Sequence, residues 1–256
     1  MFKDFLLLIS FMSRIPVKSH PEPQAEDWAR ALRFLPLWGL ILGILIAATA
    51  HVVAIINAPV AAACSVAAAA FLTGGLHLDG LMDTADGLAA GTDRERAFRF
   101  MSDARVGAMG IISLVIVLIL KYALYLLLIE RWQIWWAIPA AVVFSRFAVT
   151  LVVYAFPNAK KFGLAASFHQ HFHKKYFIVA CLILLIIFLV FSNWFFILAA
   201  VFGACVVFTI AHSWTGRLGG LTGDMYGAIA EWSEIFFLLL YFTAVALAYN
   251  LGPILF

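Results

Sequence analysis

Seven runs of apolar residues, each near the length needed to cross a bilayer, constrain this chain more than anything else in its sequence. They cover about 36–56, 60–77, 108–129, 133–156, 176–192, 194–213 and 232–251. A hydrocarbon core of about 30 Å is spanned by about 20 apolar helical residues. Every backbone N–H and C=O inside that core must be satisfied within the segment, and a helix does this. Composition points the same way: 65% of the residues are hydrophobic and 12% charged, against about 45–50% and about 25% in a soluble domain. The expected fold is all-α, a polytopic transmembrane helical bundle of about seven spans forming one integral membrane domain over 1–256. No period suggests repeats, and no linker divides the chain. The second run is the weakest, an Ala-rich stretch from Val60 to Phe71 that ends in Thr73-Gly74-Gly75. Only Ser192-Asn193 separates the fifth run from the sixth, so a tight turn is expected there.

Lys and Arg in short loops set the orientation of such a bundle. Lys3, Arg14, Lys18, Arg30, Arg33, Arg94, Arg96, Arg99, Arg105, Lys160, Lys161, Lys174, Lys175 and Arg217 fall on one side, and Arg131 alone on the other. This asymmetry predicts a cytoplasmic N-terminus, a multi-pass position in the bacterial cytoplasmic (inner) membrane, and both acid-rich segments, 79–103 and 224–234, facing the cytoplasm. Residues 1–35 read as a cytoplasmic or interfacial N-terminal segment: Phe5 to Met12 is apolar, but Asp4 and the lack of a small-x-small site argue against a cleaved leader. No basic tract suggests nucleic acid. Cys64, Cys181 and Cys205 lie far apart in apolar segments, without metal-ligand spacing, and read as small buried hydrophobes.

Chemistry concentrates first in Gly74-Gly75-Leu76-His77-Leu78-Asp79-Gly80-Leu81-Met82-Asp83-Thr84-Ala85-Asp86-Gly87. On a helix Asp79, Asp83 and Asp86 stand at i, i+4 and i+7 and share a face. Like charges on one stripe repel, and a cation among them relieves the repulsion. An all-oxygen donor set suits Mg²⁺, Mn²⁺ or Ca²⁺ rather than zinc. A solvated acidic face is the plainer alternative, but Leu78, Leu81, Met82 and Leu88 beside the acids are apolar. The glycines predict a kink and allow close backbone approach.

Asp103 and Arg105, in Ser102-Asp103-Ala104-Arg105-Val106-Gly107, could add a ligand and a phosphate-binding fork. Helix capping by Ser102 or Asp103 is the structural alternative. A third group runs Thr215-Gly216-Arg217-Leu218-Gly219-Gly220-Leu221-Thr222-Gly223-Asp224-Met225-Tyr226-Gly227, followed by Glu231 and Glu234. Its glycines, threonines and Arg217 could cradle a phosphate, or could serve a loop or a helix contact. If a helix starts near Asp224, Glu231 and Glu234 share its face. Carboxylates there need a polar cavity, a cation or a metal. Arg146, deep in the fourth run, needs an anionic partner, either one of these carboxylates or a substrate phosphate. His169, His171 and His173 read as a solvated cluster, whereas His77 and His212 could be general bases or structural histidines.

Asp83-x-x-Asp86-Gly87 resembles the start of the acidic motif of membrane CDP-alcohol phosphotransferases, but Leu88-Ala89-Ala90-Gly91 departs from that family and its second half does not follow. The whole set, 74–91, Ser102-Asp103-x-Arg105-x-Gly107, Thr222-Gly223-Asp224-x-x-Gly227 and the opening Ser13-Arg14-Ile15-Pro16, resembles the cobalamin synthase family of adenosylcobinamide-GDP ribazoletransferases. Met82, Ala104 and Met225 depart from residues common in that family without removing a charge. The resemblance implies a transferase of cobalamin biosynthesis: α-ribazole or its 5′-phosphate attacks the phosphate on the corrinoid of adenosylcobinamide-GDP, releasing GMP and forming adenosylcobalamin or its 5′-phosphate. It implies Mg²⁺ as cofactor.

Spacing and resemblance together assign metal binding to Asp79, Asp83, Asp86 and Asp103. Arg105, Arg146 and Arg217 are assigned to phosphates, with Thr222, Gly223, Glu231 and Glu234 beside the substrate, and Asp224 or His77 accepts the hydroxyl proton. Phosphoryl transfer suits such groups, because it asks for positioning and charge neutralisation. The expected partners are the two small-molecule substrates and membrane lipid, with a homo-oligomer left open. The rival readings are a CDP-alcohol-type lipid phosphotransferase and a cation-coupled transporter, the latter disfavoured because the charges gather at one membrane face.

Overall fold

Two consecutive glycines decide the shape of the functional half of the molecule. In the computed structural model, which describes residues 2–17, 23–91 and 93–255, Gly74 and Gly75 both take left-handed φ angles of 66° and 75°. A helix over Ala58–Thr73 ends there, Gly74 and Gly75 donating to the carbonyls of Phe71 and Ala70 at 3.1 and 2.9 Å. This is the reversed hydrogen bonding with which glycine terminates helices. A new helix over Leu76–Ala89 leaves at 90° to the first. The acidic stripe therefore has a helix of its own, set across the direction of the one before it.

In chain order the helices are α1 Phe2–Met12, α2 Ala25–Ala31, α3 Leu35–Val53, α4 Ala58–Thr73, α5 Leu76–Ala89, α6 Arg94–Met101, α7 Ala108–Glu130, α8 Ile134–Ala155, α9 Leu164–His171, α10 Lys174–Phe191, α11 Trp194–Leu218 and α12 Gly223–Leu255. The fold is all-α: no strand occurs among the described residues, only an isolated parallel bridge between Asn158 and Leu221. Among the described residues six helices are long and apolar enough to cross a membrane, and α4 with α5 makes a seventh if that bent pair is one span.

Helix α8 is the centre of the bundle, with 89% of its apolar window buried, whereas 17% of that of α10 is buried. It packs on α3, α12 and α10. Outward-facing Ile111, Ile112, Val115 and Ile119 on α7, and Leu182, Leu185, Ile186 and Leu189 on α10, leave a broad exposed apolar belt. Such a belt is what a lipid-facing surface requires. Ser192 and Asn193 turn α10 into α11, Ser192 with a left-handed φ of 50° and the Asn193 side chain accepting from the Phe195 N–H at 3.0 Å.

Helix α12 starts at Gly223, nine residues before the apolar run at 232. Thr222 Oγ1 accepts from the Met225 N–H at 3.3 Å, and Asp224 in the first turn complements the helix dipole. The apolar run begins later because Asp224 and Glu231 fall in the stretch before 232. The N-terminal segment is tied down rather than loose. Asp4 is buried and accepts from Arg30 Nε at 3.1 Å and Arg33 Nη2 at 2.8 Å, fastening α1 to the turn between α2 and α3.

Candidate functional site

Helices α5 and α12 cross almost backbone to backbone. A Cβ added at Gly80 would lie 2.6 Å from the Asp224 carbonyl oxygen, and one at Gly227 would lie 3.1 Å from that of His77. At Gly80 only glycine permits the approach, and at Gly227 a side chain would have to push its neighbour back by a few tenths of an ångström. It brings the first turn of α12 against the acidic stripe, so that Asp83 lies within electrostatic reach of Asp79, Asp86 and Asp224. Sequence spacing had put three of these acids on one face. The fourth arrives only through the crossing.

The glycine-rich loop before α12 has a distinct task. Gly219 and Gly220 adopt φ angles of 75° and 150°, and the chain then pairs with 157–159. Ala159 N–H donates to Leu221 at 2.8 Å and Leu221 N–H to Pro157 at 2.9 Å. This pairing carries Lys160 to the acids, where its charge acts on both Asp83 and Asp224. The loop serves a backbone contact, and the cation it delivers is a lysine that the sequence reading used only to orient the chain.

Two cavities meet at Asp79. One, of about 210 Å³, is bounded by α1, α5, α8, α9 and α12, with Phe11, Leu32, Val149 and Phe168 on its walls and His77, Asp79, Asp224 and Tyr226 at its polar edge. Gly223 lines it and is open. His77 is 4% exposed, and its Nδ1 has no hydrogen-bond partner. The other cavity, of about 610 Å³, lies beside Arg14 at the Gly74-Gly75 corner.

Other expected site residues stand elsewhere. Asp86 caps α7, its two oxygens accepting from Gly107 N–H at 2.7 Å and Gly110 N–H at 2.8 Å. Asp103 binds Arg105 through Nε at 3.1 Å and Nη2 at 3.0 Å, and this hydrogen bonding holds its exposed carboxyl below the usual carboxylate range. Asp103 lines a separate cavity with Arg96, Arg99 and Phe100. Arg217 donates to Leu88 and Gly91 carbonyls at 3.0 and 2.7 Å, gripping the end of α5. Thr222 is buried as the α12 cap.

Glu231 and Glu234 line neither of the two cavities that meet at Asp79. Both are buried, with Lys121 Nζ 2.6 Å from Glu231 Oε2 and 3.0 Å from Glu234 Oε2. The first contact is an ion pair without hydrogen-bond geometry, since Glu231 Oε2 lacks a suitably aligned donor. Tyr125 donates to Glu234 at 2.6 Å. Arg146 borders the same small void, is bonded to Ser145 at 2.7 Å, and acts electrostatically on Glu234. Two cations thus balance two carboxylates in the bundle interior, where unpaired charge is costly. Arg146 makes no ion pair of its own among the described residues, and its one side-chain hydrogen bond goes to Ser145. Lys121 and Tyr125 were missed, although a lysine in the middle of an apolar run was a visible signal.

Among the described residues, no group of three or more His, Cys, Asp or Glu converges closely enough to hold a metal ion by itself. The donor chemistry still fits Mg²⁺, which keeps several waters and is commonly bound through one or two carboxylates plus substrate phosphates. Asp79 and Asp83, one turn apart on α5, offer such a pair.

The family model described as cobalamin-5-phosphate synthase matches residues 4–242. A Geotalea daltonii protein named adenosylcobinamide-GDP ribazoletransferase is 35% identical over 246 residues, covering 93% of this chain and 96% of the relative. Proteins of the same name from Roseiflexus sp. and Clostridium botulinum are each 33% identical, covering 89% and 93% of this chain and 84% and 96% of their own lengths. No solved structure matches.

Proposed function

Because the chain belongs to the cobalamin-5-phosphate synthase family, a family of transferases in cobalamin biosynthesis, we propose that it joins α-ribazole, or its 5′-phosphate, to the phospho-corrinoid group of adenosylcobinamide-GDP. A ribose hydroxyl of the acceptor forms a new O–P bond to the corrinoid-linked phosphorus. The bond from that phosphorus to the bridging oxygen breaks, GMP leaves, and adenosylcobalamin or its 5′-phosphate is formed. The observation that carries this reading is the crossing of α5 and α12, which sets Asp79 and Asp224 on the lining of an apolar cavity with Asp83 and Lys160 in electrostatic reach.

Each group has a task in that reaction. Mg²⁺, held by Asp79 and Asp83, would neutralise the diphosphate of the donor. Lys160 adds positive charge on the same side, in a loop held by the pairing of 157–159 with 221. Asp224 lines both the acidic cluster and the cavity, and accepts the proton of the attacking hydroxyl. Asp86 and Arg217 fix the two ends of this arrangement, through α7 and through the end of α5. Such positioning and charge compensation are the main demands of phosphoryl transfer. The site faces the cytoplasm in a bacterial inner membrane, a placement supported by the Lys and Arg excess in the loops around it.

The test is Asp83→Asn in the purified, detergent-solubilised protein. Turnover of adenosylcobinamide-GDP with α-ribazole should fall at least about a hundredfold and the Mg²⁺ dependence should flatten, as expected when a group stabilising transition-state charge is lost. Wild-type Mg²⁺-dependent turnover in the variant would remove Asp83 from the site. Competition by CDP-diacylglycerol would instead favour a lipid phosphotransferase.

A further inference from the structure

We propose that the 210 Å³ cavity between α1, α5, α8, α9 and α12 binds the benzimidazole base of the acceptor nucleoside. The assignment rests on the reading of the reaction above and gives one of its substrates a place.

Size is the first argument. A cavity of about 150 Å³ lined by apolar side chains accepts benzene, so a space of 210 Å³ has room for a fused bicyclic ring. Shape and chemistry follow from the walls. Phe11, Leu32, Val149 and Phe168 present apolar and aromatic surface, suited to a planar base with little to hydrogen-bond.

The polar edge is the second argument. The polar groups on the lining, His77, Asp79, Asp224 and Tyr226, all come from α5 and α12, the two helices that cross at the acidic cluster. A ligand with an apolar ring and a polar substituent is therefore held in one direction, its polar part toward the acids.

The same features exclude the other occupants at hand. The guanine of the donor carries several donors and acceptors around its edge, and the apolar walls would leave most of them unsatisfied. A lipid acyl chain would bring hydrocarbon against Asp79 and Asp224. With the base inside, the ribose emerges at the polar edge, where Asp224 and Asp79 stand next to Asp83. The reacting hydroxyl is then delivered to the acidic cluster by the seating of a base some distance from the chemistry.

Equilibrium binding of α-ribazole to the full-length solubilised protein, followed by the fluorescence of the base, tests this. Ala165 lines the cavity, and Ala165→Leu fills it. The variant is expected to bind α-ribazole at least about tenfold more weakly, equivalent to about 1.4 kcal/mol, and to bind adenosylcobinamide-GDP as wild type does. Unchanged α-ribazole affinity in a folded Ala165→Leu protein overturns the assignment.

A wild-type experiment does not depend on that variant folding. Free 5,6-dimethylbenzimidazole should displace α-ribazole, and ribose 5-phosphate should not. Displacement by ribose phosphate but not by the base, or equal displacement by guanosine, overturns it. A wild-type protein that binds α-ribazole through its base yet releases no GMP from adenosylcobinamide-GDP would instead sink the proposed reaction and leave the base-binding cavity standing.

Discussion

Lys121 shows how a single side chain can govern a membrane interior. It sits between Glu231 and Glu234 at 2.6 and 3.0 Å, with Arg146 bordering the same void. Removing the lysine leaves a carboxylate uncompensated, and breaking a buried pair from one side costs about 3–5 kcal/mol. Lys121→Met should therefore lower the thermal unfolding midpoint in detergent by several degrees. Adding Glu231→Gln, which leaves Glu234 balanced by Arg146, should recover most of the loss. If the double variant were no more stable than the single one, charge balance would not be what the lysine contributes.

At the scale of elements, the site depends on how closely α5 and α12 approach. Gly80→Ala would put a methyl group 2.6 Å from the Asp224 carbonyl oxygen, a backbone atom that can retreat only if the helix moves. Separating the helices pulls Asp224 from Asp79 and Asp83, so turnover should drop at least about tenfold, with a stability loss of about 1–3 kcal/mol from overpacking. Gly216→Ala is the control, because nothing lies within 4 Å of its added Cβ in α11. There the higher helix propensity of alanine should leave activity intact and stabilise by up to about 1 kcal/mol. Equal behaviour of the two variants would mean that the crossing is not tight in solution.

For the whole molecule, the loops rich in Lys and Arg meet at one end of the bundle. Arg94 donates to the Ala159 carbonyl at 2.9 Å, and Arg217 to that of Gly91 at 2.7 Å. Three loops separated in sequence thus share a surface, as the charge count expected. Lys18, which entered that count, lies outside the described residues. Single cysteines at Glu95 and Lys161, in a background lacking Cys64, Cys181 and Cys205, should resist an impermeant maleimide added to intact cells. A cysteine at Trp132, which is exposed at the opposite end, should react. Labelling of the first two from outside would reverse the orientation and move the site to the other face of the membrane.

Much of this was legible in the sequence, for physical reasons that act locally. Apolar runs near the bilayer width gave the helices, the i, i+4, i+7 spacing gave the shared face of Asp79, Asp83 and Asp86, and loop charge grouped the basic residues on one side. Motifs spread along the chain gave the family. What the sequence could not decide is which distant groups meet. Gly80 read as a kink or a close approach and Gly227 as part of a phosphate cradle or a helix contact, and only packing shows that they meet and bring Asp224 to the stripe. Glu231 and Glu234 share a face with Asp224 on α12, yet Lys121 and Tyr125 from α7 claim them. Periodicity fixes where a side chain points on its own helix. Its partner depends on the helices packed against it, and that is settled by long-range packing alone.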